Sequence, residues 1–299
     1  MLAPDFPLPL GYRWQYIVIR WIQTLSWPWF HQGMKWLTWL GGERFYLIML
    51  PILFWAVSPR IGLRVIYIFV ASMYTNYWLK YALHVIRPIG IPGIRSDLTA
   101  NSTGYAMPSG HALGSVTIGG LLAWWVKRSW FTFLVLILVL GIGVSRVYLG
   151  VHWPQDVLVG WVLGAAFAWV GWIVGGWWTY RGYRENVRMA LSIVFPLTLW
   201  VIHRGLEDAG YAALLLGLGL GNVLQERWFG LELNPILWRR VAAVIIGMAG
   251  LIALQWGIKW PANLIWVSVA NLLIGLWGTL GAPYVFGLAG LYQKPVRMA

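Results

Sequence analysis

Three cations, two histidines and a carboxylate occur in this sequence at spacings that suit phosphate chemistry. The first cluster runs from Lys80 to Arg87-Pro88. Lys80 and Arg87 are seven residues apart, two turns of a helix, and are expected on one face. Two long cations converging there suit a dianionic phosphate, which arginine grips through paired N–H groups and lysine meets as a point charge. The second cluster is Pro108-Ser109-Gly110-His111, directly before an apolar run, and reads as a helix start. A helix N-terminus offers unpaired N–H groups and the positive end of a dipole, which together bind phosphate. Gly110 lets the backbone come close, and His111 falls in the first turn. The third cluster holds Arg146, His152, Pro154 and Asp156. Pro154 suits the first turn of a new helix, from which Asp156 reaches back toward His152. A carboxylate on one imidazole nitrogen fixes the tautomer and leaves the lone pair of the other free to attack.

Taken singly, each cluster also has a plain structural explanation. Lys80 and Arg87 could be cations snorkelling at a helix end. Ser109 could cap a helix that happens to carry an interfacial histidine. His152 and Asp156 could form a local capping contact, although that leaves Arg146 unexplained. Taken together they supply charge stabilisation, a nucleophile and an acid, the parts of phosphoryl transfer through a covalent intermediate. No carboxylate cluster stands near them to hold magnesium. The cations are therefore expected to offset the phosphate charge, with no metal or other cofactor.

The elements that must position these residues are membrane helices. Of 299 residues, 60% are hydrophobic and 10% charged, against roughly 45–50% and 25% in soluble domains; the mean hydropathy is +0.67. The 24 tryptophans and 14 tyrosines fit aromatic belts at two interfaces. The expected fold is all-α, a polytopic transmembrane helical bundle. Spans are predicted near 43–59, 62–83, 110–126, 129–147, 154–178, 187–204, 209–224, 238–257 and 262–282, nine in all, each close to the 20 residues a bilayer needs. Residues 11–40 carry too many polar groups to span and are expected to form one or two amphipathic helices in the interface. Residues 88–108, rich in Pro, Gly, Ser and Asn, read as an ordered loop. Gly160 with Gly164, and Gly217 with Gly221, are expected to let helix backbones approach closely.

Absent cysteine excludes disulfides, thiolate metal sites and cysteine nucleophiles. The N-terminus does not have the pattern of a cleavable signal peptide. The net charge of +13 is spread between apolar runs and fits the positive-inside bias and anionic headgroups rather than nucleic acid. Alternating the nine spans puts Arg60, Arg64, Lys127, Arg128, Arg181, Arg184, Arg188, Arg227, Arg239, Arg240, Lys294 and Arg297 on one side. Arg13, Arg20, Lys35, Arg44, Lys80, Arg87, Arg95, Arg146, Arg204 and Lys259 fall on the other, with the N-terminus. With Lys80, Arg87 and Arg146 assigned to chemistry, the first side is the more basic and is read as cytoplasmic. The three clusters then open to the extracytoplasmic side.

K-x6-R-P, P-S-G-H and S-R-x5-H-x3-D, in this order between Lys80 and Asp156, resemble the three signature motifs of the type 2 phosphatidic acid phosphatase superfamily, with every signature position present. The resemblance covers about residues 40–178; Gly42-Glu43-Arg44-Phe45-Tyr46 also looks like bacterial members. It implies an integral membrane phosphoric ester or diphosphate hydrolase acting on a lipid phosphate. His152 would be the nucleophile that forms a phosphohistidine, Asp156 would orient it, and His111 would protonate the leaving oxygen. Lys80, Arg87, Arg146, Ser109 and the Gly110 N–H would hold the phosphate. A soluble sugar phosphate as substrate, a vanadate-dependent haloperoxidase and a non-catalytic lipid-binding protein are the competing readings. The expected organisation is interfacial helices over 1–41, a catalytic core over 42–178 and additional helices over 179–299. His84 and Tyr105 are candidates for the pocket entrance, and Arg95 with Asp97 for a lid or a solvated pair. Arg204, Glu207 and Asp208 read as an ordinary loop.

Overall fold

A computed structural model describes residues 8–99, 104–180, 185–256 and 261–293. Residues 100–103 of the predicted loop, and Arg181, Arg184, Lys259, Lys294 and Arg297 of the charge comparison, lie outside the described residues. Among the described residues the chain is all-α apart from one short strand pair. Its helices are α1 (Leu10–Gln23), α2 (Pro28–Leu40), α3 (Glu43–Ile52, continued by a π turn Leu53–Val57), α4 (Pro59–Leu83), α5 (Gly110–Val126) and α6 (Ser129–Tyr148). There follow α7 (Pro154–Tyr180), α8 (Glu185–Val201), α9 (Leu206–Trp228), α10 (Leu237–Trp256), α11 (Leu264–Leu276, continued by a π turn Trp277–Gly281) and α12 (Ala282–Leu288). β1 (Glu232–Leu233) pairs antiparallel with β2 (Tyr292–Gln293).

Helix is present at all nine predicted span positions, but the elements are less uniform than nine equal spans. Among the described residues, four segments are long and apolar enough to cross a membrane: Ser129–Tyr148, Pro154–Gly175, Leu237–Gln255 and Leu264–Leu288. A fifth is added if α2 and the segment Glu43–Val57, bent by 51° from one another, count as one broken span. The rest fall short for local reasons. α5 and α8 have 17 residues each, while α4 carries Arg60, Arg64, Asn76 and Lys80 and α9 carries Glu207, Asp208, Glu226 and Arg227. In α4 the polar residues near the C-terminal end include Lys80 of the first chemical cluster, so part of the hydropathy deficit coincides with the candidate chemistry.

The chain divides into two compact units that do not follow chain order. One holds residues 1–46 and 76–172, the other 47–75 and 173–299. The predicted boundaries after residues 41 and 178 follow the chain, whereas the units divide within α3, α4 and α7.

In the first unit a buried cluster of Tyr16, Ile19, Ile94, Ala106, Ala112, Val147, Trp153 and Val157 joins α1, the 88–108 loop and α5–α7. Of the one or two N-terminal helices expected, two are present, α1 and α2. α1 turns a polar face inward: Gln15 donates to Gln155 Oε1 at 2.9 Å and Tyr16 to the Pro92 carbonyl at 3.1 Å. Gln23 donates to the carbonyls of Arg95 and Tyr148. Its apolar residues Trp14, Ile17 and Trp21 face outward. Gly160 and Gly164 permit close packing of α7 on α5, since a Cβ at either would lie 2.8 Å from the Ser109 carbonyl oxygen or 2.6 Å from that of Leu113.

In the second unit α9 packs against α8 and α11. Gly217 and Gly221 sit against α11 and the π turn that follows it. Phe54, Trp55, Ala243, Ala282, Phe286, Leu291 and Tyr292 form one of its cores.

Candidate active site

α4 ends at Leu83 because Pro88 and its predecessor disfavour continued helix and His84 takes a left-handed backbone (φ 52°). Arg87 therefore stands beyond the helix, and the expectation that helical periodicity aligns it with Lys80 is not how the two meet. They converge on a shared loop backbone. Lys80 Nζ donates to the carbonyls of Tyr105 (2.6 Å) and Ala106 (3.3 Å). Arg87 donates to those of Gly104 (3.0 Å), Tyr105 (3.2 Å) and Val151 (2.8 Å).

α5 begins at Gly110 with Ser109 as its extended N-cap residue, yet the Ser109 side chain makes no capping bond. Its hydroxyl is buried without a hydrogen-bond partner among the described residues. An ordinary cap would have spent that oxygen on the helix. The Ser109 N–H instead donates to the Asp156 carbonyl at 2.9 Å, tying the start of α5 to the first turn of α7.

His152 lies in the short connection between α6 and α7. Asp156 Oδ2 is 3.3 Å from His152 Nδ1 and accepts the Trp153 N–H at 2.8 Å. On the other side of the ring, Arg87 Nη1 is 3.0 Å from His152 Nε2. A guanidinium can only donate, so Nε2 presents its lone pair and the ring proton sits on Nδ1, toward Asp156. This is the tautomer a nucleophilic imidazole requires. Burial, followed by the positive charges of Arg87, Arg146 and Lys80 and by His111, holds the His152 pKa well below that of a free histidine. The neutral ring is thus the resting form at pH 7.

Arg146, in the last turn of α6, is buried and donates through Nη1 to Thr38 Oγ1 at 2.6 Å. His111 packs beside the α2–α3 corner, where a Cβ on Gly42 would lie 3.7 Å from His111 Nε2. Lys80, Ser109, Arg146, His152 and Asp156 are all buried. All eight sequence-predicted site residues fall in the unit formed by residues 1–46 and 76–172.

Three further residues contact this constellation or the chain beside it and were missed in the sequence. Asn76, 1% exposed, donates to the Pro108 carbonyl at 3.0 Å, and its Oδ1 would be 3.3 Å from a Cβ at Gly110. Its signal was a polar residue one turn before Lys80 in an apolar helix. Thr38 and Gln15 lie in the tryptophan-rich N-terminal segment, expected to form amphipathic helices in the interface. Of the other candidates, His84 and Tyr105 stack edge to face with ring centres 4.6 Å apart. Arg95 and Asp97 form a 2.9 Å pair that is partly exposed. Asp208 accepts the N–H groups of Arg204 (2.7 Å) and Gly205 (2.8 Å) and so terminates α9.

Residues 61–180 match the PAP2 superfamily, and residues 209–294 match the transmembrane extension of PAP2 superfamily phosphatases. The undecaprenyl-diphosphatase of Sulfolobus acidocaldarius is 34% identical over 108 residues, 36% of this chain and 52% of that protein. Sphingosine-1-phosphate phosphatase 1 of Rattus norvegicus is 28% identical over 212 residues, 66% of this chain and 49% of that protein. The chain thus spans about half the length of these curated relatives. The crystal structure of Aquifex aeolicus LpxE aligns with a TM-score of 0.47 at 21% identity, over 58% of this chain and 99% of that one.

Proposed function

From a multi-span membrane protein of the PAP2 superfamily that carries the superfamily's transmembrane extension, we propose a phosphatase acting on a lipid phosphate or lipid diphosphate. The observation that carries this reading is a buried His152 held between Asp156 Oδ2 at Nδ1 and Arg87 Nη1 at Nε2. Lys80 and Arg146 lie near enough to bear on its charge.

In the proposed reaction the phosphate takes the place at Nε2 that Arg87 Nη1 occupies in the free protein. Arg87, Lys80 and Arg146 bind its oxygens, helped by the Ser109 hydroxyl and the Gly110 N–H. Nε2 attacks phosphorus, the bond from phosphorus to the leaving oxygen breaks, and His111, having taken up a proton from solvent as the bound dianion offsets the surrounding cations, gives that proton to the leaving oxygen. The Nδ1 proton stays directed at Asp156, which offsets the positive charge that develops on the ring. Water then attacks the phosphohistidine, His111 takes its proton, and inorganic phosphate departs. The cations supply the charge stabilisation through both steps. The excess of Lys and Arg on the opposite side of the spans supports an extracytoplasmic site.

A lipid substrate is supported by the relatives, whose names specify undecaprenyl diphosphate and sphingosine 1-phosphate. It is also supported by the tryptophans of α1 and α2, which suit an interface where a headgroup-borne phosphate is presented. The test is phosphate release in detergent from undecaprenyl diphosphate, phosphatidate, phosphatidylglycerophosphate, sphingosine 1-phosphate and glucose 6-phosphate. Turnover of at least one lipid, persistent in EDTA and blocked by orthovanadate, is expected. A requirement for magnesium would overturn the mechanism, and preference for glucose 6-phosphate would overturn the substrate class.

A further inference from the structure

Thr38 was not among the residues marked for chemistry, yet its side chain is committed to one that was. It is 4% exposed, lies near the C-terminal end of α2, and its Oγ1 accepts the Arg146 Nη1 proton at 2.6 Å. That length is at the short end for a charge-assisted bond. Threonines in helices commonly return their hydroxyl to the carbonyl one turn back. Thr75 does so to Ala71 at 3.1 Å and Thr117 to Leu113 at 2.9 Å. Thr38 does not: among the described residues its own O–H donates to nothing, and the oxygen is turned to the arginine.

Just beyond Thr38 the chain makes the α2–α3 corner, with Gly41 and Gly42 donating to the carbonyls of Thr38 and Trp39. The corner borders the His111 ring, since a Cβ on Gly41 would lie 3.4 Å from His111 Cδ2. One short segment therefore bonds to Arg146 and borders His111, which come from different helices.

We propose that Thr38 is a positioning residue for the phosphate site, acting through Arg146. A long, buried guanidinium has many rotamers, and only a fixed one can meet an anion at a set point without an ordering cost at each binding event. Thr38 supplies that fix. Because its oxygen is used as an acceptor, its O–H remains available in the same neighbourhood when an anion arrives. The inference rests on the reading of Arg146 as a phosphate ligand.

The experiment compares Thr38→Val, which keeps the shape and removes the hydroxyl, with Thr38→Ser, which keeps the hydroxyl. Hydrogen bonds to charged groups correspond to about a tenfold to hundredfold change. Thr38→Val is expected to lower kcat/KM on the best lipid substrate, and to raise the half-inhibitory concentration of orthovanadate, by about that range. Thr38→Ser is expected to stay within about threefold of the unsubstituted protein on both measures. Orthovanadate protection against thermal unfolding in detergent gives a readout that needs no turnover, and Thr38→Ala replaces Thr38→Val if the latter does not fold. Unchanged vanadate sensitivity and protection in Thr38→Val, or an equal loss in Thr38→Ser, would overturn the proposal. A protein without turnover that vanadate protects, with the protection lost in Thr38→Val, would sink the phosphatase reading and leave this one standing. An active protein indifferent to Thr38→Val would do the reverse.

Discussion

The two units of this chain differ in how most of their buried polar groups are used. In the unit formed by residues 47–75 and 173–299, several buried polar side chains are spent on nearby backbone, with Arg188 Nε the atom left without a hydrogen-bond partner among the described residues. Asp208 closes the start of α9 on two backbone N–H groups. Thr279 donates to the Gly275 carbonyl at 3.0 Å, and Asn234 accepts the Ile236 N–H at 3.0 Å. In the unit formed by residues 1–46 and 76–172, buried polar groups keep capacity in reserve. Ser109 Oγ and Asp156 Oδ1 have no hydrogen-bond partner among the described residues. Lys80, Arg87 and Arg146 all act on His152, while Asp156 is the carboxylate at its ring. Leaving a buried polar group unmatched costs about 1–3 kcal/mol, and an unbalanced buried charge costs more. A fold retains such an arrangement where a ligand completes it, and under the function proposed above that ligand is the substrate phosphate. Under the proposed function, unmatched carboxylate and hydroxyl oxygens beside a histidine, rather than polar residues as such, distinguish the first unit.

The sharpest way to break the comparison is His152→Ala. If the reserve in the first unit serves covalent catalysis, phosphate release should fall by on the order of 10⁴-fold or more. Labelling of the protein by ³²P-substrate in acid-quenched samples should disappear. Residual turnover above a tenth of the starting rate would mean that the nucleophile lies elsewhere. Next in size is Asp156→Asn. The carboxamide presents an N–H group as readily as an oxygen to Nδ1, so the ring can settle with its proton on Nε2 and its lone pair turned away from the phosphate. A loss of about 10²–10⁴ in kcat is expected, measured as initial rates at saturating substrate.

A smaller and more diagnostic effect concerns pH. Burial and the adjacent cations depress the His152 pKa, so the neutral nucleophile persists as pH falls through 6.5, the range in which a free histidine takes up its proton. The acid limb of kcat/KM belonging to this group should therefore lie below pH 6.5. Arg87→Gln removes the largest charge acting on the ring, and the limb should move upward toward the ordinary value on the same substrate. The linkage sign is that of a depressed histidine: as pH falls below the free-histidine value, the unfolded chain binds a proton that the folded chain resists, and stability declines. Arg87→Gln should lessen that decline. A limb that stays in place would remove Arg87 from the environment of His152.

Much of this was legible in the sequence because it depends on residue type over short distances. Apolar runs located helix at all nine positions, since length and hydropathy govern that outcome. That the eight candidate residues share one unit was legible because Pro88, Ser109 and Pro154 mark where helices stop and start, and the candidates sit at those helix ends. What could not be read were the partners that come from far along the chain. Arg87 was assigned to a helical face, but Pro88 ended α4 early and loop carbonyls aim it instead. Thr38 and Gln15 looked like ordinary polar members of interfacial helices. Their roles depend on Arg146 and Gln155, more than a hundred residues away, and no local pattern records such a pairing. The division into units was likewise hidden, because α4 is one uninterrupted helix whose residues 59–75 and 76–83 belong to different units.

The mildest test works from the other unit. Asp208 is fully buried, acidic and beside Glu207 and Arg204, so by residue type alone it is as plausible a catalytic group as Asp156. Its oxygens, however, are taken by the N–H groups of Arg204, Gly205 and Ala209, and it faces no histidine in these contacts. Asp208→Ala should therefore cost about 0.5–2 kcal/mol of stability, the usual range for a lost helix cap. That would register as a lower thermal midpoint in detergent, with kcat and KM unchanged at temperatures where the protein stays folded. The paired result, activity lost without stability in Asp156→Asn and stability lost without activity in Asp208→Ala, is what spare versus spent bonding capacity requires. A fall in kcat for Asp208→Ala at an unchanged melting temperature would show that the second unit also holds a group in reserve, and the contrast between the units would fail.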